Sequence, residues 1–285
     1  MVRNFLIVSC RANGDRVAGQ IDIRGVTKRF GAKTVVDALD LQVEDGEFLS
    51  LLGPSGCGKS TTLRMIAGLE QPSEGRVWLN EIDITDLPPH KRSVNTVFQS
   101  YALFPHLNVA ANIAYALKLR RVDRSKIANQ VSEALEMVQM TDYADHTPRQ
   151  LSGGQQQRLA IASVLAMHPK ILFMDEPTSN LDPIGKEEVF ELARKLNREE
   201  GLTVIVAEHE SEVLAAYADR IVVLHEGKIL MIGTPTEVFS RGDELAKIGI
   251  RVPQATDLAI ALSKSGAKNL PVTTGEAIKW LEARG

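Results

Sequence analysis

Cysteine is nearly absent: Cys10 and Cys57 are the only two in 285 residues. Two thiols cannot build a disulfide framework, and no metal-type cysteine spacing exists. Such sparing use suits a reducing compartment. Aromatic residues make up only 5%. No apolar run approaches the roughly 20 residues of a membrane span, and Phe5-Leu6-Ile7-Val8 is too short for a secretory core. Neither charge sign dominates, since 33 basic and 36 acidic side chains leave a net charge of −3. No polyelectrolyte attraction to nucleic acid or anionic lipid follows from that balance. Internal repeats and low-complexity segments are also lacking. Collagen-like, disordered and disulfide-scaffold classes are thereby excluded, and any membrane contact is expected to go through a partner.

What remains is an ordinary globular composition, 44% apolar and 24% charged. The length suits one large domain or two modest ones. Residues 1–20 read as a leader into the fold. Residues 21–52 read as strands, ending in the buried-type run Phe48-Leu49-Ser50-Leu51-Leu52. Lys59 to Leu69 reads as a helix that Gly68 ends. Val77 to Leu79 is a short strand. Residues 83–100, polar and carrying Pro88-Pro89, read as mostly loop. From about 109 to 167 the pattern is helical, with Ile127, Val131, Leu135 and Val138 on one face. Strands at 171–174, 204–207 and 221–224 then alternate with helices at 184–199 and 211–217. Past Gly233 the chain reads as a tail of short helices. Apolar strands alternating with helices imply a parallel sheet covered on both faces, interrupted by a helical insert.

The chemistry begins at Gly53-Pro54-Ser55-Gly56-Cys57-Gly58-Lys59-Ser60-Thr61, which fits GxxxxGK[ST] from Gly53 to Ser60. Glycines let successive backbone N–H groups turn inward as an anion nest, and the following helix aims its positive end at the same spot. Lys59 adds a charge for β and γ phosphates, and Ser60 a hydroxyl for Mg²⁺. A second element is Ile171-Leu172-Phe173-Met174-Asp175-Glu176. It puts two carboxylates at the carboxyl edge of a parallel sheet, where ligands bind. Asp175 is expected to hold Mg²⁺, and Glu176 to orient or deprotonate an attacking water.

With Leu151-Ser152-Gly153-Gly154-Gln155 added, residues 21–240 resemble the ATPase subunits of ABC transporters. The resemblance implies a P-loop α/β fold with a mixed sheet core and an antiparallel β subdomain. It also implies a helical subdomain at about 100–165 and a short helical extension over 241–285. By the same resemblance Phe30 stacks on adenine; otherwise it is an ordinary strand or core residue. Gln99 becomes a glutamine that touches magnesium or water, Asp182 a residue facing a second subunit, and His209 a switch histidine for the γ-phosphate. A neutral imidazole there could donate from one nitrogen while backbone holds the other. Asn180 departs from the alanine common in the family.

The resemblance further implies ATP and Mg²⁺ as ligands and a head-to-tail dimer with a second ATPase subunit. Ser152, Gly153, Gly154 and Gln155 of one chain would cover ATP on the P-loop of the other. Transmembrane permease subunits would dock on the helical subdomain, where Tyr101 to His106 form an aromatic stretch, placing the protein peripherally at the cytoplasmic membrane face. Nucleic acid is not an expected partner. The front part, through Leu69 to Gly75 and Ser100 to His106, resembles importer ATPases for polyamines and sugars. The back part, through Asp182 to Gly185, Ala207-Glu208-His209, Gly233-Thr234-Pro235 and Gly249 to Gln254, resembles energy-coupling-factor ATPases for vitamins and metal ions. An exporter subunit and a soluble relative acting on DNA or ribosomes are the alternatives. The second lacks support, since no long coiled coil or second cassette exists.

Overall fold

The computed structural model describes residues 19–97, 102–179, 181–263 and 270–284. The described chain opens with a hairpin of β1 (Ile21–Phe30) and β2 (Lys33–Val43), in which Phe30 pairs with Lys33. β3 (Phe48–Leu52) crosses to a second sheet and leads through residues 53–58 into α1 (Lys59–Ala67). β4 (Glu74–Leu79) and β5 (Ile82–Asp83) return to the hairpin and complete a four-stranded antiparallel sheet, β2-β1-β4-β5.

The chain next forms β6 (Val94–Val97), three helices, α2 (Val109–Leu119), α3 (Arg124–Met137) and α4 (Gly153–Leu165), and then β7 (Ile171–Asp175). Alternation follows with α5 (Pro183–Glu200), β8 (Thr203–Glu208), α6 (Ser211–Tyr217), β9 (Arg220–His225) and β10 (Lys228–Gly233). Four short helices close the described chain: α7 (Pro235–Phe239), α8 (Gly242–Lys247), α9 (Gln254–Leu262) and α10 (Thr274–Glu282).

The central sheet has the spatial order β10-β9-β3-β8-β7-β6, parallel except for the β9–β10 hairpin. Side chains alternate across it. Phe48, Leu52, Leu172, Met174, Val204 and Val206 join a cluster with the helices α2 to α6. Leu49, Leu51, Phe173, Ile205 and Ala207 join another with α1 and the antiparallel sheet. Both faces are therefore covered, which is why β3, β7 and β8 read as continuous apolar runs.

Two strands correct the sequence reading. Residues 83–97 are mostly turns as expected, but the short strand β6 lies within them. As the outermost strand of the sheet it needs no apolar run, and Asn95 and Thr96 are only half-buried. β10 escaped notice as well. Its signal was the two-residue turn Glu226-Gly227, both at positive φ (49° and 79°), the geometry hairpins prefer.

Candidate functional site

The parallel strands align their carboxyl ends. Val97 is in register with Met174, Asp175 with Ala207, and Leu52 with Glu208. One sheet edge therefore presents the loop after β3, the acids after β7 and the histidine after β8.

The loop after β3 is shaped by its glycines. A Cβ on Gly53 would fall on the Leu224 carbonyl oxygen and within 2.5 Å of Cys57 Sγ. Gly58 has φ 109°, and a Cβ there would lie 2.9 Å from the Val35 carbonyl oxygen. Gly53, Cys57, Gly58 and Lys59 are buried, Pro54 is half-buried, and Ser55 and Gly56 form an exposed tip. The Cys57 N–H donates to Pro54 O (3.3 Å), and Cys57 O accepts from Gly227 N–H (3.2 Å). Burial pushes the Cys57 thiol up, against the opposing charge of Lys59, so it stays a protonated packing group.

Lys59 Nζ donates to Gly53 O (2.6 Å) and Pro54 O (3.3 Å). Both acceptors are neutral, and among the described residues Lys59 forms no ion pair. A buried ammonium without a counter-charge fits an anion as its ligand. Ser60 Oγ donates to Asp175 Oδ1 at 2.7 Å, bringing together a hydroxyl and a carboxylate from elements 115 residues apart. Among the described residues no group of three or more His, Cys, Asp or Glu side chains gathers. One hydroxyl and one carboxylate instead match the donor set of Mg²⁺ shared with phosphate, which keeps several waters. Thr61 is half-buried in the first turn of α1.

The other end of α1 is closed by a residue the sequence reading missed. Arg92, 2% exposed, donates from Nη1 to Met65 O and Ile66 O (2.8 and 2.7 Å). It also donates from Nε to Leu87 O and from Nη2 to Thr85 O, both at 2.8 Å. Burial lowers its guanidinium from the ordinary range, against the pull of Asp86 and Asp83.

Glu176 follows β7 with φ 47°, a strained backbone for a non-glycine residue, held by its N–H to Ala207 O (2.9 Å). His209 follows β8 with its side chain 54% exposed. Among the described residues no backbone carbonyl accepts from its ring, contrary to the expectation of a backbone partner. Nδ1 lies 2.9 Å from Oε1 of Glu208, whose side chain is fully buried. β8 ends in a carboxylate, and that side chain lies against the ring. Phe30 ends β1 and is 49% exposed, so it is no core residue, and Lys28 Nζ sits 4.8 Å from its ring centre.

Ser152 caps α4. Its Oγ accepts from Gln155 N–H (3.3 Å), and Gln155 Oε1 accepts from Ser152 N–H (2.9 Å). This reciprocal box keeps the helix start formed although Ser152 and Gly153 are exposed. Gly154 packs on Gly185 of α5, and Arg158 pairs with Glu188 at 2.6 Å. Asp182 caps α5 through Gly185 N–H (2.7 Å). Among the described residues no hydrogen bond joins the α4 start to the P-loop. Gln99, Tyr101 and Asn180 lie outside the described residues.

A phosphate-binding loop between a central parallel strand and a helix, with a carboxylate at the next strand end but one, defines a P-loop α/β nucleotide-binding protein. The family model described as "ABC transporter" matches residues 36–179, and the chain belongs to that family.

Its relatives agree. The spermidine/putrescine import ATP-binding protein PotA of Marinobacter nauticus is 48% identical over 221 residues, 78% of this chain and 59% of that protein. The protein of the same name from Aggregatibacter actinomycetemcomitans is 47% identical over 77% of this chain and 59% of its own. The chain thus spans about three fifths of these relatives. The ATP-binding cassette MJ0796, solved as a dimer in a post-hydrolysis state bound to ADP and Pi, is 34% identical. It superposes with a TM-score of 0.68 over 75% of this chain and 98% of that one. Structure cbiO1 from Clostridium perfringens, part of the ABC transporter complex cbiONQ, is 29% identical with a TM-score of 0.74. It covers 85% of this chain and 99% of that one.

Proposed function

We propose that this protein is the ATP-hydrolysing subunit of an ABC-type membrane importer. The observation that carries the reading is the gathering, at one sheet edge, of an uncompensated Lys59, the Ser60–Asp175 pair and His209. Lys59 and the P-loop N–H groups bind the phosphates, and Phe30 offers a flat exposed face to the base. Ser60 and Asp175, with Gln99, hold Mg²⁺, which when bound neutralises charge developing on the transferred phosphoryl group. Glu176 orients and deprotonates the water that attacks in line.

The exposed start of α4 is a second anion site formed by a capped helix N-terminus. In a head-to-tail pair it closes over ATP held by the partner copy or a sister subunit, with Asp182 facing across. Loss of the γ-phosphate bridge on hydrolysis reopens the pair. Among the described residues no helix is long and apolar enough to cross a membrane. Permease subunits docking on α2 to α4 would hold the protein peripherally at the cytoplasmic face. The names of the sequence relatives favour a polyamine as solute. The resemblance of Asp182 to Gly185, Ala207-Glu208-His209, Gly233-Thr234-Pro235 and Gly249 to Gln254 to energy-coupling-factor ATPases favours the vitamin and metal-ion class instead. Identifying the membrane proteins that copurify with the chain separates the two.

Substitution of Glu176 by Gln is expected to keep ATP binding and to slow hydrolysis by at least about 100-fold, trapping a dimer seen by size-exclusion chromatography with ATP and Mg²⁺. Lys59→Ala is expected to lose ATP binding itself. Near-normal hydrolysis in the Glu176 variant would overturn the assignment.

A further inference from the structure

A lysine near a strand end ordinarily extends its ammonium into water. Lys28 of β1 does not. The pairing with β2 shifts register on both sides of it, and the residue is only 9% exposed. Irregularities of this kind re-aim side chains. Its Nζ donates to Glu70 Oε1 at 2.6 Å and to Gln71 O at 2.7 Å. It also stands over the Phe30 ring, 4.8 Å from the centre. A cation within about 6 Å of a ring centre is attracted to the negative face of the π system. Phe30 ends its strand half exposed. A surface phenyl ring without such a contact exchanges rotamers within nanoseconds. The neighbouring cation, Arg29, is paired with Glu74 and does not compete for Glu70. Glu70 and Gln71 lie just past α1, and Glu70 N–H donates to Arg64 O of that helix (3.2 Å). α1 starts at Lys59, in the P-loop. Phe30, Lys28, Glu70 and α1 therefore form a continuous chain that ties the exposed ring to the helix carrying the phosphate-binding lysine.

We infer that Lys28 is a positioning residue that holds the Phe30 ring as a platform for the nucleotide base, one face against the ammonium and the exposed side open to stacking. The inference rests on the proposed nucleotide role of Phe30. The ammonium is fixed by two oxygens, so it acts as a peg and not as a mobile surface charge. The ring it holds is oriented before the base arrives, and binding does not have to order it. That is the advantage of preorganisation. The anchor on α1 also fixes where the platform stands relative to the P-loop, and a nucleotide must reach both. Lys28 thus separates two kinds of ligand. One that carries base and phosphates uses the platform and the loop together. One that carries phosphates alone uses the loop and is indifferent to Lys28.

The test is isothermal titration calorimetry of the full chain with two ligands in the presence of Mg²⁺. One is the non-hydrolysable β,γ-imido analogue of ATP; the other is tripolyphosphate, which has the phosphates without the base. Phe30→Ala is expected to weaken analogue binding at least about fivefold, the lower end of what a stacked base contributes, and to leave tripolyphosphate within about twofold. Lys28→Met is expected to weaken the analogue about fivefold, the effect of one cation–π contact, again with tripolyphosphate within about twofold. Lys28→Arg keeps a cation for the ring and donors for both oxygens, and is expected to bind the analogue within about twofold of wild type. In the Phe30→Ala background, Lys28→Met is expected to add no further loss, since a residue that acts through the ring then has nothing to position. Three results would overturn the inference: a further loss of similar size in the double variant, an equal loss of tripolyphosphate affinity in Lys28→Met, or unchanged analogue binding in Lys28→Met where Phe30→Ala weakens it. Unchanged analogue binding in Phe30→Ala is the separate failure, that of the base reading of Phe30, and it takes the inference with it. Should Lys28→Met fail to fold, Lys28→Gln carries the same comparison, because it keeps a donor for Gln71 O without the charge.

Discussion

The P-loop and the start of α4, the two anion sites proposed above, both lie at helix N-termini, yet they are stabilised in opposite ways. The P-loop is enclosed. Its base is buried, Gly53 lies against Leu224 and Gly58 against Val35, and Arg92 closes the far end of its helix. The start of α4 is exposed and supports itself through its own Ser152 and Gln155 side chains. An enclosed site takes its shape from the fold around it. An exposed one is formed locally and, in the proposed pair, is completed by what docks on it. The pair is thus one rigid receptor and one presented surface.

That contrast can be broken from the P-loop side first. Arg92→Ala removes the guanidinium from four carbonyl oxygens; Met65 O keeps the Gly68 N–H, and each buried group left unsatisfied costs about 1–3 kcal/mol. Thermal or urea unfolding is expected to show a loss of at least about 3 kcal/mol. An unchanged transition would mean that water replaces the guanidinium and that the enclosure is looser than described.

Gly53→Ala comes next. Its methyl group collides with the Leu224 carbonyl and must displace the loop, and a shift of about 1 Å at a reacting site is worth roughly 100-fold. ATPase turnover is expected to fall by about that factor while global stability falls less than in Arg92→Ala. Ser152→Ala sharpens the contrast at its weak end. It removes one cap at a cost of about 1 kcal/mol, confined to the first turn of α4. Hydrogen exchange of that turn is expected to rise, and nucleotide binding by the isolated chain to stay unchanged. Weakened binding in the isolated chain would show that the two sites share one nucleotide within a single copy.

The same contrast explains what the sequence disclosed. The P-loop was legible because backbone geometry demands particular glycines at fixed spacing, and β3, β7 and β8 because strands buried on both faces become apolar runs. α6 occupies the residues its sequence pattern predicts, 211–217. β6 was hidden because an edge strand can be short and partly polar. Arg92 and Glu208 were hidden for another reason. Each draws its meaning from groups far along the chain, Met65 and Ile66 for the first and Thr178 for the second. A lone arginine in a polar stretch and a glutamate beside a histidine carry no local pattern that announces those contacts. For His209, position at a strand end was readable, but the buried carboxylate beside its ring was not.

The strand order also acts as a ruler. Neighbouring strands stand about 4.8 Å apart, and the order β3-β8-β7-β6 sets the groups at that sheet edge in fixed increments from the P-loop. The histidine after β8 starts one increment away, the acids after β7 two, and the chain leaving β6 three, or about 14 Å. Because backbone hydrogen bonds rule these divisions, side-chain substitutions can change what is measured but not the scale. Only an added or lost strand between β3 and β6 could recalibrate it.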